Sequence, residues 1–262
     1  MIVIKYGGHA MVNVELSRSF AEDVVHLVGQ GERVVVVHGG GPQIQAELEF
    51  RGIGSTMVAG LRVTTPEIMD IVEKILTGRV LRDVTNAIIQ AGGKGVGITG
   101  RDGPLIVVEQ LTRSATGERI DVGRVGEITK VNPHLLTALL SAGFIPVVAP
   151  VSADLNGLAY NVNADSVAGA IAGALRSERT IFLTDVPGLM REWPDPKSLI
   201  SALTYEEAKG LLPTVADGMI PKIAACLHAI EQGARSAQII DGRVPGAIMK
   251  ALGADFGTVI TA

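Results

Sequence analysis

Lys5 closes a short apolar run and is followed by Tyr6, Gly7 and Gly8. A lysine at the end of a buried strand either reaches solvent along its stem or supplies a point charge to an anion. Further on, Val34 to Val37 and His38 run into Gly39, Gly40, Gly41 and Pro42. Successive valines describe a strand buried on both faces. Glycines strip Cβ atoms from the turn that follows, so backbone N–H groups can close on an anion at a helix N-terminus. A tight strand-to-helix turn without a ligand would use the same residues.

Other polar residues stand at similar junctions. Asn161, Asn163 and Asp165 precede a small-residue helix; capping explains one of the three, not all. Arg62, in Gly60-Leu61-Arg62-Val63-Thr64, offers a planar fork suited to a carboxylate, or is a surface arginine. Asp185, with Pro187 and Gly188, could simply be a turn. Lys222 follows Gly218, Met219, Ile220 and Pro221 and, taken alone, reads as an exposed helical lysine. Gly95-Val96-Gly97-Ile98-Thr99-Gly100 matches GxGxxG in form, but a turn (Arg101 to Pro104) follows where a dinucleotide site needs a helix. There is no GxxxxGK[ST], so no P-loop.

The elements that must hold these residues alternate. Residues 2–5 form a strand, Val14 to Gly29 has helical spacing, and residues 33–38 form a strand, together a right-handed βαβ unit. In parallel pairing both glycine ends face one crevice. Pro66 opens a long helix that runs to Gly92, followed by a strand at 95–100 and short β pieces over 104–129. A helix from Asn132 to Gly143, a strand at 145–150 and a helix over 167–175, packed closely on a sheet by its Ala and Gly, come next. Strands at 180–184, 237–241 and 258–260 and helices over 204–212 and 218–232 complete the chain. The expected division is two lobes of one continuous unit, 1–176 and 177–262.

The bulk numbers exclude several classes. A chain of 262 residues can bury a large core, and with few aromatics that core is Val, Ile, Leu and Ala. Net charge is −4, with no basic cluster for nucleic acid. No run approaches the ~18 apolar residues of a membrane span. The start, Met1-Ile2-Val3-Ile4-Lys5, lacks a signal peptide's pattern. Cys226 is the sole cysteine, which fits a reducing compartment and a small core residue. The histidines and this cysteine show no metal-ligand spacing.

Together the stretches at 5–8, 38–44, 60–64, 161–165, 183–188 and 218–222 resemble the amino acid kinase family, in family order across nearly the whole chain. The stretches at 60–64 and 161–165 are most similar to members acting on N-acetyl-L-glutamate. The resemblance implies an open αβα sandwich with a mainly parallel central sheet (carbamate kinase-like), an N-lobe for the acyl amino acid and a C-lobe for ATP with Mg²⁺. It implies phosphorylation of the substrate's γ-carboxylate, the second step of arginine biosynthesis. Lys5 and Lys222 would flank the transferring phosphoryl group, with Asp165 orienting both. Gly40, Gly41, Arg62, Asn161 and Asn163 would hold the substrate. Gly7, Gly8, Thr184, Asp185, Val186, Pro187, Gly188, Gly218, Met219 and Ile220 would line the phosphoryl and nucleotide site, with no metal held by protein ligands.

Elementary chemistry agrees. A glutamate carboxylate, with a pKa of about 4.3, is already ionised at neutral pH and needs no general base. It needs its repulsion from the phosphates cancelled. The resemblance also implies a cytoplasmic, arginine-insensitive homodimer: the strand starting at Ile2 leaves no helix before it, and Gly246 and Lys250 break the arginine-site pattern. Two alternatives stay open, a kinase for carrier-protein-linked aminoadipate and a non-catalytic amino acid sensor. A sensor should have lost Lys5, Lys222 or Asp165, and all three are present.

Overall fold

The structure is a computed structural model that describes residues 1–262 apart from Val12, Ala115, Thr116, Trp193, Thr214, Ala216 to Gly218, Ala254 and Asp255, and of His9, Ala10, Pro196 and Pro221 the backbone alone. In chain order the strands are β1 (Ile2–Tyr6), β2 (Val34–His38), β3 (Met57–Val58), β4 (Leu61–Arg62), β5 (Gly95–Thr99), β6 (Ile106–Gln110), β7 (Gly126–Val131), β8 (Ile145–Ala149), β9 (Val151–Ala153), β10 (Ala159–Asn161), β11 (Arg179–Thr184), β12 (Leu189–Met190), β13 (Leu199–Ile200), β14 (Ala202–Thr204), β15 (Ser236–Asp241) and β16 (Thr258–Thr261). The helices are α1 (Val14–Gly29), α2 (Gly41–Phe50), α3 (Pro66–Glu73), α4 (Leu81–Gln90), α5 (His134–Ser141), α6 (Ala164–Ala174), α7 (Tyr205–Leu211), α8 (Ile220–Glu231) and α9 (Ala247–Leu252).

The described strands form an eight-stranded sheet in the order β14-β16-β15-β11-β1-β2-β8-β5. Every pairing in it is parallel except β15 with β16. Alternation along each strand splits the core into two layers. Ile2, Ile4, Val34, Val36 and Ile181 pack with α1, α2, α3, α4 and α9. Val3, Val35, Val37, Phe182 and Ile239 pack with α5, α6, α7 and α8. The chain passes from β1 to β2 and out to β5 at the sheet edge, comes back to place β8 between β2 and β5, and then crosses to β1's other side as β11. That reversal is a topological switch point, and the crevice beyond its strand ends is the usual ligand site of such sheets.

Local chemistry fixes the helix that overlies β1. Asn13 caps α1, accepting from the Leu16 N–H at 3.0 Å, and the Tyr6 and Phe20 rings stack 3.7 Å apart. On the same helix, Ser19 accepts from the Gly246 N–H at 2.8 Å and buried Asp23 from the Ile248 N–H at 3.0 Å, so α1 holds the start of α9.

Three expectations need revision. The helix from Pro66 is not uniform, since Lys74–Val80 form a π-helical turn between α3 and α4. Gly78 weakens the α-ladder there, and the Thr77 hydroxyl donates to the Glu73 carbonyl. The β pieces after residue 104 are part of a larger second sheet, β10-β9-β6-β7, in which β9 and β10 were not anticipated. The small residues of α6 serve a helix as well as the sheet: a Cβ on Gly173 would lie 2.3 Å from Gln232, just past α8, and one on Gly169 would lie 3.4 Å from the Ala229 backbone.

Candidate active site

Lys5 leaves β1 on the face occupied by α6, where its Nζ lies 3.0 Å from Asp165 Oδ1. Asp165 is in place because Asn163 caps α6, its side-chain oxygen accepting from the Asp165 and Ser166 N–H groups at 2.8 and 3.1 Å. The capping role of Asn163 is thus real, and it leaves Asp165 for the lysine. Burial pushes the Cys226 thiol well up, and the nearby Asp165 carboxylate adds to the shift. Lys222 lies one turn before Cys226 on α8, so the two share a face of that helix.

The glycines beside these charges have separate tasks. A Cβ on Gly7 would lie 2.6 Å from Lys5 Nζ, so the bare backbone lets the lysine fold back over it. Gly8 has φ +72°, and a Cβ there would lie 2.6 Å from Asp185 Oδ1. Asp185 therefore overhangs the β1 turn from β11, across the switch point. Thr184 is tied into the sheet: its hydroxyl contacts the Ile240 and Val186 carbonyl oxygens, both at 3.2 Å, and its own carbonyl accepts from the Gly242 N–H at 2.8 Å. Asp185 to Gly188 form a bend. A side chain on Gly188 would strike Thr258 and Leu199, so this glycine answers to packing. Met219 caps α8 with Ile220 next to it, while Gly218 lies outside the described residues.

A cavity of about 210 Å³ opens beside the β2 turn, lined by Gly39, Gly40, Gly41, Arg62, Asn161 and Asn163 with an apolar wall that includes Ile44, Leu61, Leu76 and Val162. All the residues expected to hold the acyl substrate meet here. Arg62 is braced, donating through Nη1 to Gln45 Oε1 at 2.8 Å and to Ser55 Oγ. Partial burial lowers its pKa from the usual arginine value, which leaves it a cation. The Asn161 amide donates to Thr64 Oγ1 at 3.4 Å.

Sequence reasoning missed four participants. Gln45 and Ser55 brace Arg62 from positions too remote in sequence to suggest contact. Leu76, on the π-helical turn, presses on Gly40 where a Cβ would otherwise stand, only 2.4 Å from its Cδ2. His38 is fully buried, and burial lowers its pKa to about 4. It is therefore neutral, and its Nδ1–H donates to the Gly39 carbonyl at 2.7 Å. Its histidine-then-glycine context was the only available signal.

Strand ends thus converge on a lysine–aspartate pair, bare glycine turns and a small cavity. The chain belongs to the amino acid kinase family, whose sequence model matches residues 1–241. It is 48% identical over 263 residues to the acetylglutamate kinase of Corynebacterium urealyticum, covering 100% of this chain and 86% of that one. It is also 48% identical over 254 residues to that of an Arthrobacter species, covering 95% and 82%. Among solved structures, an N-acetylglutamate synthase from Neisseria gonorrhoeae superposes with a TM-score of 0.86 at 24% identity, covering 100% of this chain and 59% of that one. A Giardia carbamate kinase gives 0.73 at 18%, covering 100% and 98%. These two superpositions bear on the fold alone and agree with the open αβα sandwich.

Proposed function

We infer that this chain transfers the γ-phosphoryl group of ATP to the γ-carboxylate of N-acetyl-L-glutamate, giving N-acetyl-L-glutamyl 5-phosphate and ADP in arginine biosynthesis. The observation that carries the reading is the Lys5–Asp165 pair at the end of β1, beside a cavity lined by Asn163 and Ala164 that has Arg62 and Asn161 for a carboxylate and an apolar wall for an acyl group. Two relatives at 48% identity, of which this chain covers 86% and 82%, bear the name acetylglutamate kinase.

The chemistry asks the residues for positioning and charge. Arg62 holds the substrate's α-carboxylate, and Asn161 and Asn163 its amide. Gly40 and Gly41 bring their N–H groups to the point of transfer. The γ-carboxylate attacks phosphorus in line, the bond to the leaving ADP oxygen breaks, and no proton need be removed first. Lys5 and Lys222 neutralise charge on the phosphoryl oxygens as it builds. Asp165 keeps the lysines aimed and takes no proton. The nucleotide lies over Thr184 to Gly188 and Met219–Ile220, in the lobe after residue 176. Mg²⁺ supplies charge cancellation on the ATP phosphates. Among the described residues no group of three or more His, Cys, Asp or Glu gathers that could hold a metal ion.

Turnover tested with acetylglutamate, glutamate, aspartate and carrier-linked aminoadipate decides the substrate; ATP consumption with any but the first overturns the reading. Lys5→Ala should lower kcat by about 10²–10³ with the fold intact by circular dichroism, and unchanged kcat removes Lys5 from the mechanism. The reading extends to a cytoplasmic homodimer paired through the long helical run from Pro66 to Gln90 and insensitive to arginine. Gly246, just before α9, and Lys250, on it, support the insensitivity. Light scattering and a coupled assay with arginine check both.

A further inference from the structure

The segment Asp241-Gly242-Arg243 has no part in the reading above, yet it stands at the mouth of the same crevice. Asp241 ends β15, and in the parallel register its neighbour on β11 is Thr184, the residue before Asp185. The Gly242 N–H donates to the Thr184 carbonyl at 2.8 Å, which fixes the two strand ends against each other. Arg243 then turns back on Asp241. Its Nε donates to Oδ1 at 2.8 Å, its Nη2 to Oδ2 at 2.7 Å, and its backbone N–H to Oδ1 at 2.9 Å.

This is a bidentate fork with one rigid, largely buried partner, since the Asp241 side chain is 11% exposed and the Arg243 side chain 49%. Burial pushes the Asp241 carboxyl upward, but the hydrogen bonds and charge of Arg243 win and hold it below the ordinary carboxylate value. The guanidinium is also raised, first by its bonds to Asp241 and, in part, by the charge of Asp185. In the β11–β15 register Asp241 lies opposite Thr184, so Arg243 and Asp185 both lie just beyond the same pair of strand ends. The fork occupies the Nε and Nη2 edge, and no hydrogen bond to Nη1 occurs among the described residues.

Asp185 is an awkward neighbour for a nucleotide. It overhangs Gly8, where the polyphosphate must pass, and a carboxylate repels phosphate at that range. We propose that Arg243, clamped by Asp241 at the end of β15, is a positioning residue of the nucleotide site: its guanidinium offsets the Asp185 carboxylate and lets the polyphosphate of ATP settle beside Gly8. The inference rests on the kinase reading only in taking Asp185 as part of the nucleotide site. Arg243 acts through Asp185, and Asp241 sets the fork that aims it. Arginine suits the task because its planar fork can grip one carboxylate while its charge serves another.

The test is direct binding of MgATP to the full chain by calorimetry, without the second substrate. Arg243→Gln should weaken MgATP about tenfold, while the affinity for acetylglutamate, measured alike, moves less than about twofold. Arg243→Lys should recover most of the loss. In an Asp185→Asn background the same Arg243→Gln change should cost less than about threefold, because the charge it offsets is gone. Asp241→Asn, which loosens the fork and leaves the cation, should give an intermediate loss and serves if Arg243→Gln does not fold. MgATP affinity unchanged in Arg243→Gln and Asp241→Asn overturns the inference, as does an equal penalty in both backgrounds. A parent chain that binds no MgATP overturns the inference and the kinase reading together. A parent that binds MgATP but does not phosphorylate acetylglutamate overturns only the substrate assignment, and the Arg243 comparison still stands or falls on its own.

Discussion

β1 and β2 lie side by side in register, Tyr6 opposite His38, and each runs straight into glycines. The two turns touch: the Gly39 N–H donates to the Tyr6 carbonyl at 2.8 Å, and a Cβ on Gly39 would lie 3.7 Å from the Gly7 Cα. Yet the glycines answer to different forces. In the β1 turn they make way for charge, with Lys5 folded over Gly7 and Asp185 over Gly8. In the β2 turn Gly40 makes way for an apolar side chain, Leu76, while a Cβ on Gly41 would meet nothing within 4 Å. The same motif thus sets electrostatics on one strand and cavity shape on the next. In the reaction proposed above, the first turn serves the phosphoryl group and the second the acyl substrate.

Substitutions can break this contrast. Gly8→Ala should be the most damaging, because the backbone is left-handed and the new Cβ displaces Asp185. We expect a loss of about 1–2 kcal/mol in stability and a larger proportional loss of MgATP affinity, read by denaturation and calorimetry. No trimming of a neighbour should rescue it, since the strain is in the backbone. Gly40→Ala should act through Leu76 alone and weaken acetylglutamate about tenfold with MgATP little affected. Here Leu76→Val, which deletes the clashing Cδ2, should restore much of the affinity. Rescue of Gly8→Ala, or failure to rescue Gly40→Ala, would show that the two turns do not differ as described.

The smallest effect lies in pH. His38 titrates at about 4 when folded, against 6.5 for a free histidine. The unfolded chain binds the proton more readily, so the contribution of His38 is fully present above about pH 6.5 and is lost as pH falls toward 4. The full swing is about 3 kcal/mol. His38→Asn should flatten the acid limb of stability over that window in urea titrations at pH 7 and 4.5, and an unchanged limb refutes the assignment. Its neighbour Tyr6, pushed up to about 12 by burial, has no such acid limb, so acid should loosen the β2 turn before the β1 turn.

Much of this site was legible because its chemistry is local in sequence. Lys5 with Gly7 and Gly8, and Asn163 with Asp165, are short stretches whose residue types state their own constraints. The four-valine strand likewise announced its burial on both faces. What escaped had two physical sources. Arg62 meets Gln45, and Thr184 meets Asp241, only through tertiary packing and strand register, which no local pattern encodes. The π-helical turn escaped because apolar residues continue on both sides of it, and period counting cannot separate a widened turn from a regular one.

The grip of α1 on α9 has a consequence for how the chain is made. Asp23 leaves the ribosome 225 residues ahead of Ile248, whose N–H it will accept. Until then the first helix presents a carboxylate on the face it must bury, and that charge keeps the early half hydrated and reluctant to close. β1 faces a like delay, with β2 at hand and β11 still to be synthesised. The central strand and the first helix are both finished by late-arriving partners, so a prematurely terminated chain remains open at its middle and recognisable to proteases.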